Sequence, residues 1–96
     1  MEKWNFVDGK NCGEIKLYAL STCVHCRKTK EFLEKNNVSY YYIYVDLLEP
    51  DELDEIYSEV KKYNPRGSFP TIVINGTRVI VGSKLDEIRK VLDLND

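Results

Sequence analysis

The sequence predicts an α/β domain with the element order (β)βαβαββα, and three observations predict it. Two strand-like runs, Glu14–Leu20 and Ser39–Val45, are each followed by a stretch of helical periodicity, the alternation that builds β-α-β units. Asn75-Gly76 stands between two β-branched runs, the strongest short-range sign of a hairpin. Cys23 and Cys26 stand where the first apolar run gives way to a charged, helix-prone one, which is where a β-α-β unit carries a redox dithiol.

Residues 1–13 read as an arm, followed by a domain over 14–96. Trp4, Phe6 and Val7 are strand-prone and Asp8-Gly9 is a turn signal, so an extra strand folded back on the next one is expected. Glu14 to Leu20 alternates at first and then becomes apolar, which suits a central parallel strand. The spacing predicts a helix over 24–36 with Phe32 and Leu33 facing inward, closed by Asn36-Asn37. Cys26, Thr29 and Leu33 share one stripe of it, so Cys26 points to the core and Cys23 stays at the rim.

In the second strand Tyr40, Tyr42 and Tyr44 share one face, and Tyr41, Ile43 and Val45 the other. Pro50 opens the next helix, with Asp51, Glu52, Asp54 and Glu55 complementing its positive end. Leu53, Ile56, Tyr57 and Val60 keep the i, i+3, i+4, i+7 rule, and Asn64-Pro65-Arg66-Gly67 ends the helix. Thr71–Ile74 and Thr77–Val81 are joined by a two-residue type I′ turn at Asn75-Gly76. Ser83 reads as the N-cap of a last helix, with Asp86 three residues on and Leu85, Ile88, Val91 and Leu92 as its apolar stripe.

A chain of 96 residues, 43% hydrophobic, makes one domain with a modest core. Its net charge of −2 and the lack of a basic stripe argue against a nucleic-acid partner. The tyrosines of the second strand suit a half-buried strand better than a base-stacking platform, since no basic residues interleave with them. No apolar run approaches bilayer length, and Met1-Glu2-Lys3-Trp4-Asn5 lacks the apolar region of a signal peptide. A cytoplasmic, monomeric protein in a reducing compartment is expected. Three cysteines, an odd count, fit poorly with a disulfide framework. Cys12 reads as a partly exposed spare thiol, with a third redox cysteine or a dimer cross-link as its alternatives.

The chemistry expected of Cys23 follows from its place. At a helix N-terminus, unsatisfied N–H groups and the macrodipole favour an anion, and the thiolate is the reactive form of cysteine. Its pKa is expected below the free value of ~8.5, in the range ~3.5–7.5 of such sites, with Arg27 and Lys28 assisting. Cys26, three residues on, is about one turn away and within reach. His25, between the two, either tunes the pair through charge or a hydrogen bond or is an exposed spacer.

Three segments carry a family resemblance: Cys23-Val24-His25-Cys26, Ser68-Phe69-Pro70-Thr71 and Val81-Gly82-Ser83-Lys84-Leu85-Asp86. At these spacings the chain resembles the glutaredoxin family of the thioredoxin superfamily, from Glu14 to Leu94. The resemblance implies a thioredoxin/glutaredoxin-like fold, a four-stranded mixed sheet flanked by three helices, with the arm as an added strand. It also implies a cis Pro70 facing the dithiol, so that the Phe69 backbone offers a short strand-like edge to a bound peptide or thiol. Catalysis is then carried by Cys23 and Cys26. Thr22, Val24, His25, Arg66, Phe69, Pro70, Gly82, Ser83, Lys84 and Asp86 bind substrate, with Arg66 as a carboxylate partner.

Disulfide-bearing proteins or small-molecule disulfides are the implied clients, with no tightly bound cofactor and no metal. Glutathione, as cosubstrate, or a thioredoxin- or ferredoxin-type reductase supplies the electrons. Two departures bear on that choice. Leu20 stands where the family's glutathione site has a basic residue, and Ser83 where many members carry a second glycine after Gly82. In this the chain also looks like the small redoxins that share the fold but draw on a reductase. The alternative from another class is an iron–sulfur cluster carrier using Cys23, since thiolates favour such ligation.

Overall fold

Ile15, Leu17 and Ala19 alternate with Lys16 and Tyr18, and this one strand sorts the rest of the molecule into two sides. The structure, a computed structural model, describes residues 3–94. Its elements are β1 (Asn5–Val7), β2 (Ile15–Ala19), α1 (Val24–Lys35), β3 (Tyr40–Tyr44), α2 (Pro50–Tyr63), β4 (Thr71–Ile74), β5 (Arg78–Val81) and α3 (Leu85–Val91), with a 3-10 turn at Val45–Leu47. The order matches the expected one; β2, β3 and β5 are trimmed by a residue at one or both ends, and β4 has the expected bounds. The five strands form one mixed sheet ordered β1-β3-β2-β4-β5. Only β2 and β3 run parallel, with α1 as their crossover; the other neighbours are antiparallel.

On one side of the sheet Ile15, Leu17, Tyr40, Ile72 and Ile80 are buried under Phe32 and Leu33 of α1 and Ile88 of α3. On the other, Tyr18, Ile43 and Val73 are covered by Ile56 and Val60 of α2. A side chain of this kind contributes about 1.5–3 kcal/mol when fully buried. The expected facing of the β3 tyrosines holds: Tyr40, Tyr42 and Tyr44 lie on the α1 side, Ile43 and Val45 on the α2 side.

The arm supplies the expected extra strand, but its pairing partner differs. Rather than folding back on β2, β1 pairs antiparallel with β3, Phe6 opposite Tyr41. Both sides of β2 are already taken by β3 and β4, so the free edge of β3 is where a further strand can bond. Asp8-Gly9 therefore joins no adjacent strands. Asp8 Oδ1 accepts the Gly9 N–H, and Gly9 passes so close to Asn37–Ser39 that a Cβ would lie 2.8–2.9 Å from their backbone. Trp4 seats the arm edge-on against Tyr18, ring centroids 5.0 Å apart, with the Lys16 ammonium 5.3 Å from its ring.

The hairpin also differs by one residue. Asn75 and Gly76 both have positive φ, as a type I′ turn needs, but Ile74 pairs with Arg78, so the loop is three residues with Thr77 the extra one. Asn75 has a second attachment that explains its place. Its N–H donates to the Glu14 carbonyl at 2.8 Å and its Oδ1 accepts the Glu14 N–H at 2.9 Å, clipping the turn to the start of β2.

Candidate active site around the Cys23–Cys26 dithiol

β2 delivers the chain to the carboxyl edge of the sheet, and Cys23 starts α1 there as its N-cap. The Cys23 N–H returns to the Leu20 carbonyl at 3.3 Å, and the Cys23 carbonyl accepts from Arg27 N–H at 3.1 Å. Cys23 Sγ accepts the Cys26 N–H at 3.1 Å, so a sulfur does what a Ser or Asp oxygen does at most helix starts. No acidic residue stands in the first turn of α1, so helix charge favours an anion there unopposed from within the helix. Cys23 is half-buried, whereas Cys26 is 1% exposed and packed in the core; both are free thiols.

The Cys26 thiol is pushed up to about 12, first by burial, then by its hydrogen bond with Cys23 and by the charges of Cys23 and Asp46, against a backbone hydrogen bond at Leu20. The turn before the helix is braced by Asp46, which accepts Ser21 N–H at 2.8 Å and Ser21 O–H at 2.5 Å. Burial acts to raise the Asp46 carboxyl, but the hydrogen bonds from Ser21 and from its own backbone outweigh it and hold it below the usual value.

A pH dependence follows for the reduced protein. The folded state keeps the Cys26 proton up to about pH 12, while an unfolded thiol loses it near ~8.5. The stability this contributes is complete below ~8.5 and is lost as pH rises toward 12, by at most about 1.4 kcal/mol per pH unit. Tyr18 and Tyr40 are also raised, chiefly by burial and then by hydrogen bonds to Glu59 and Glu34, but unfolded tyrosine titrates only near ~10. Denaturant midpoints of the reduced protein are therefore expected to fall more steeply between about pH 8.5 and 10 than those of Cys26→Ala. Equal slopes would remove Cys26 as the cause.

The other side of the site comes from β4 and β5. Tyr18 opposes Thr71, so one step further along Pro70 lies level with Ala19, at the end of β2 that leads to Cys23. The Phe69–Pro70 bond is cis, as the resemblance implied, and the Pro70 carbonyl accepts Gly82 N–H at 2.9 Å. Phe69 stacks on Tyr57, centroids 6.2 Å apart. Ser83 Oγ and His25 Nδ1 are hydrogen-bonded at 3.2 Å, tying the loop after β5 to the first turn of α1. His25 is thus no free spacer. Nor is Ser83 a helix cap: Lys84 occupies that position with no side-chain bond, because α3 starts only at Leu85.

His25, next to Cys26 in the chain, is bonded to Ser83, Gly82 is bonded to Pro70, and Phe69 and Cys23 pack against the core cluster that contains Cys26. Thr22 and Val24 flank Cys23 with exposed side chains, Val24 at 55%. Arg66, Lys84 and Asp86 are exposed, and among the described residues no hydrogen bond or ion pair joins them to the dithiol; Arg66 meets Asn64 Oδ1 through its N–H. Cys12 precedes β2 while Cys23 follows it, so the length of the strand, about 3.3 Å per residue, separates them.

Sequence reasoning missed Asn64, which is 4% exposed and organises the loop carrying Phe69-Pro70. Its Nδ2 donates to the Ser68 carbonyl, Ser68 Oγ and Thr71 Oγ1 at 3.0–3.1 Å, and its carbonyl accepts Gly67 N–H at 2.8 Å. It also missed the Ser21–Asp46 brace. Among the described residues no three or more His, Cys, Asp or Glu are grouped to hold a metal ion, and no helix is long and apolar enough to cross a membrane.

Comparison with known proteins agrees with this geometry. The family model Glutaredoxin matches residues 15–79. The chain is 34% identical over 79 residues to a glutaredoxin-like 8.6 kDa protein in the rubredoxin operon of Clostridium pasteurianum, covering 82% of this chain and 97% of that one. The glutaredoxin of Methanosarcina mazei superimposes with a TM-score of 0.87 at 47% identity, over 94% of this chain and 87% of that chain. Methanosarcina acetivorans methanoredoxin does so with a TM-score of 0.85 at 44% identity, over 88% of each. A dithiol at the head of α1, the cis Pro70 level with the end of β2, and these matches along most of the chain together place the protein in the glutaredoxin family of the thioredoxin superfamily.

Proposed function

We propose that the protein reduces disulfides by dithiol exchange through Cys23 and Cys26. The Cys23 thiolate attacks one sulfur of a client disulfide, forming a mixed disulfide and expelling the other client sulfur as a thiolate that takes up a proton. Cys26 then gives up its proton and attacks Cys23 Sγ, releasing the second client thiol and leaving a Cys23–Cys26 disulfide. Two electrons pass to the client, and a donor restores the dithiol. The observation that carries this is the division of labour between the sulfurs. Cys23 is reachable and its sulfur accepts the Cys26 N–H, while Cys26 is buried one turn on.

The raised Cys26 thiol fits the order of events. Two of the causes that raise it come from Cys23, through hydrogen bond and charge. Both disappear once Cys23 is tied into a mixed disulfide, so Cys26 becomes easier to ionise when its attack is needed. The Phe69-Pro70 edge and the Gly82-Ser83 loop are proposed to flank the bound client, with His25 held by Ser83.

The donor is either glutathione or a reductase of the thioredoxin or ferredoxin type. Leu20 packs against the α2 side of the core, so it supplies no cation for a glutathione carboxylate. The test is reduction of a model disulfide with three donors in turn: glutathione with its reductase, a thioredoxin reductase with NADPH, and a ferredoxin-linked reductase. Turnover with one of them, and a potential near about −200 to −230 mV for glutathione or about −270 mV for a reductase, is the expected result. A brown protein with sulfur-to-iron charge-transfer absorption and no turnover with any donor would overturn it in favour of cluster carriage.

A further inference from the structure

A cleft of roughly 150 Å³ runs between α1 and the end of β3, lined by Cys23, Arg27, Lys30, Glu31, Glu34 and Tyr44. At about 30 Å³ per water it has room for a carboxylate with a methylene or two. Lys30 is held in place there: its Nζ donates to Tyr44 Oη at 2.9 Å and sits 3.8 Å from the centre of the Tyr42 ring. Among the described residues neither Arg27 nor Lys30 is spent in a salt bridge.

The cleft also has acidic groups, and their positions decide its sign. At 1.5 Å rise per residue, Arg27 lies about 6 Å and Lys30 about 10 Å along α1 from Cys23, whereas Glu31 lies about 12 Å and Glu34 about 16 Å away. Glu34 is engaged by the Tyr40 hydroxyl. Glu31 also borders a second groove with Lys28 and Lys35. Asp46 accepts both Ser21 donors. Arg27 is thus the charged side chain nearest the sulfur along the helix, and the ammonium of Lys30, a turn further on, is fixed in advance by two tyrosines.

We propose that this cleft is a specificity subsite that takes a carboxylate from the client, placed next to the cysteine that Cys23 captures. The subsite rests on the exchange reading above and adds a preference to it: disulfides flanked by acidic residues are reduced fastest. The chain's net charge of −2 offers no general attraction for anions, so the preference arises locally.

The test uses symmetric disulfides of one short peptide with Glu, Gln or Lys beside its cysteine. Because both halves of each are alike, which half is captured does not matter. In low salt kcat/KM is expected to fall in the order Glu, Gln, Lys. Glu should exceed Gln by about three- to fivefold, the size of one partly exposed ion pair, and mainly through KM. Lys30→Met should bring that ratio close to one, Lys30→Arg should keep most of it, and Tyr44→Phe, which leaves the charge but removes its anchor, should fall between. A wild-type ratio of one, or a ratio unchanged in Lys30→Met, would overturn the subsite while leaving disulfide exchange intact. Failure to reduce any of the three peptides would overturn both.

Discussion

Cys23→Ser is expected to lose disulfide reduction by at least about a thousandfold, the scale on which removal of a nucleophile acts. Cys26→Ser should instead perform the first half of the reaction and stop. The difference lies in what each sulfur does. Only Cys23 is open to a client, and its sulfur already receives the Cys26 N–H, a backbone donor that a Cys26→Ser change leaves in place. In the proposed exchange Cys26 is the sulfur that breaks the mixed disulfide, and serine cannot. Intact mass measurement of Cys26→Ser mixed with a disulfide peptide should show the protein plus one peptide, removable by dithiothreitol. Alkylation makes the same point in the wild type. At neutral pH iodoacetamide should modify Cys23 and spare Cys26, which is buried and holds its proton up to about 12, until denaturant exposes it. No trapped adduct with Cys26→Ser, or full activity in Cys23→Ser, would end the assignment of roles.

The placement of the two cysteines was readable before any coordinates because it depends on local features. Two cysteines one turn apart at a strand–helix junction fix which is the N-cap and which faces the core, and the stripe of Cys26, Thr29 and Leu33 is buried as the spacing requires. The same holds for α2, whose Ile56 and Val60 meet the sheet, and for the alternation of β3. What the sequence concealed is set by partners distant along the chain. Ser83 has the local look of a cap, yet its hydroxyl is drawn to His25, 58 residues away, and the helix it was to cap begins two residues later. Asp8-Gly9 looks like a hairpin turn, but the edge available to the arm belongs to β3, which comes later. Asn75-Gly76 has the dihedrals of its turn, but the register is displaced by one, and Asn75 also bonds Glu14, the residue just before β2 and outside the hairpin. Lys30 shows the same thing at the site itself: nothing near it in sequence indicates that Tyr42 and Tyr44 will hold its ammonium in the cleft that Cys23 also lines.

Asn64 is the furthest case, and it yields the largest expected effect away from the sulfurs. In the sequence it is one residue of a helix-ending Asn-Pro-Arg-Gly run. In the fold its amide lies in a pocket of acceptors, with Ser68 O, Ser68 Oγ and Thr71 Oγ1 around Nδ2, while Oδ1 takes the Arg66 N–H. Thr71 is fully buried and donates back to the Ser68 carbonyl, so the loop that carries Phe69-Pro70 is closed on one side chain. Asn64→Ala leaves buried polar groups short of partners and is expected to cost about 2–3 kcal/mol. That corresponds to a fall of about 10–20 °C in Tm for a domain of this size. Asn64→Asp, nearly identical in shape, should be worse at neutral pH, because it points an anionic oxygen at three acceptors where two N–H donors had been. Its deficit has a sign in pH as well. The site raises that carboxyl's pKa, so the added penalty is absent below the unfolded value of ~3.9 and grows as pH rises past it. Thermal unfolding of the two variants at about pH 3.5 and pH 7 separates this account from simple loss of a helix stop. A helix stop would favour Asp over Ala at both pH values, whereas the acceptor pocket requires Asp to be the less stable at pH 7 and to recover on acidification.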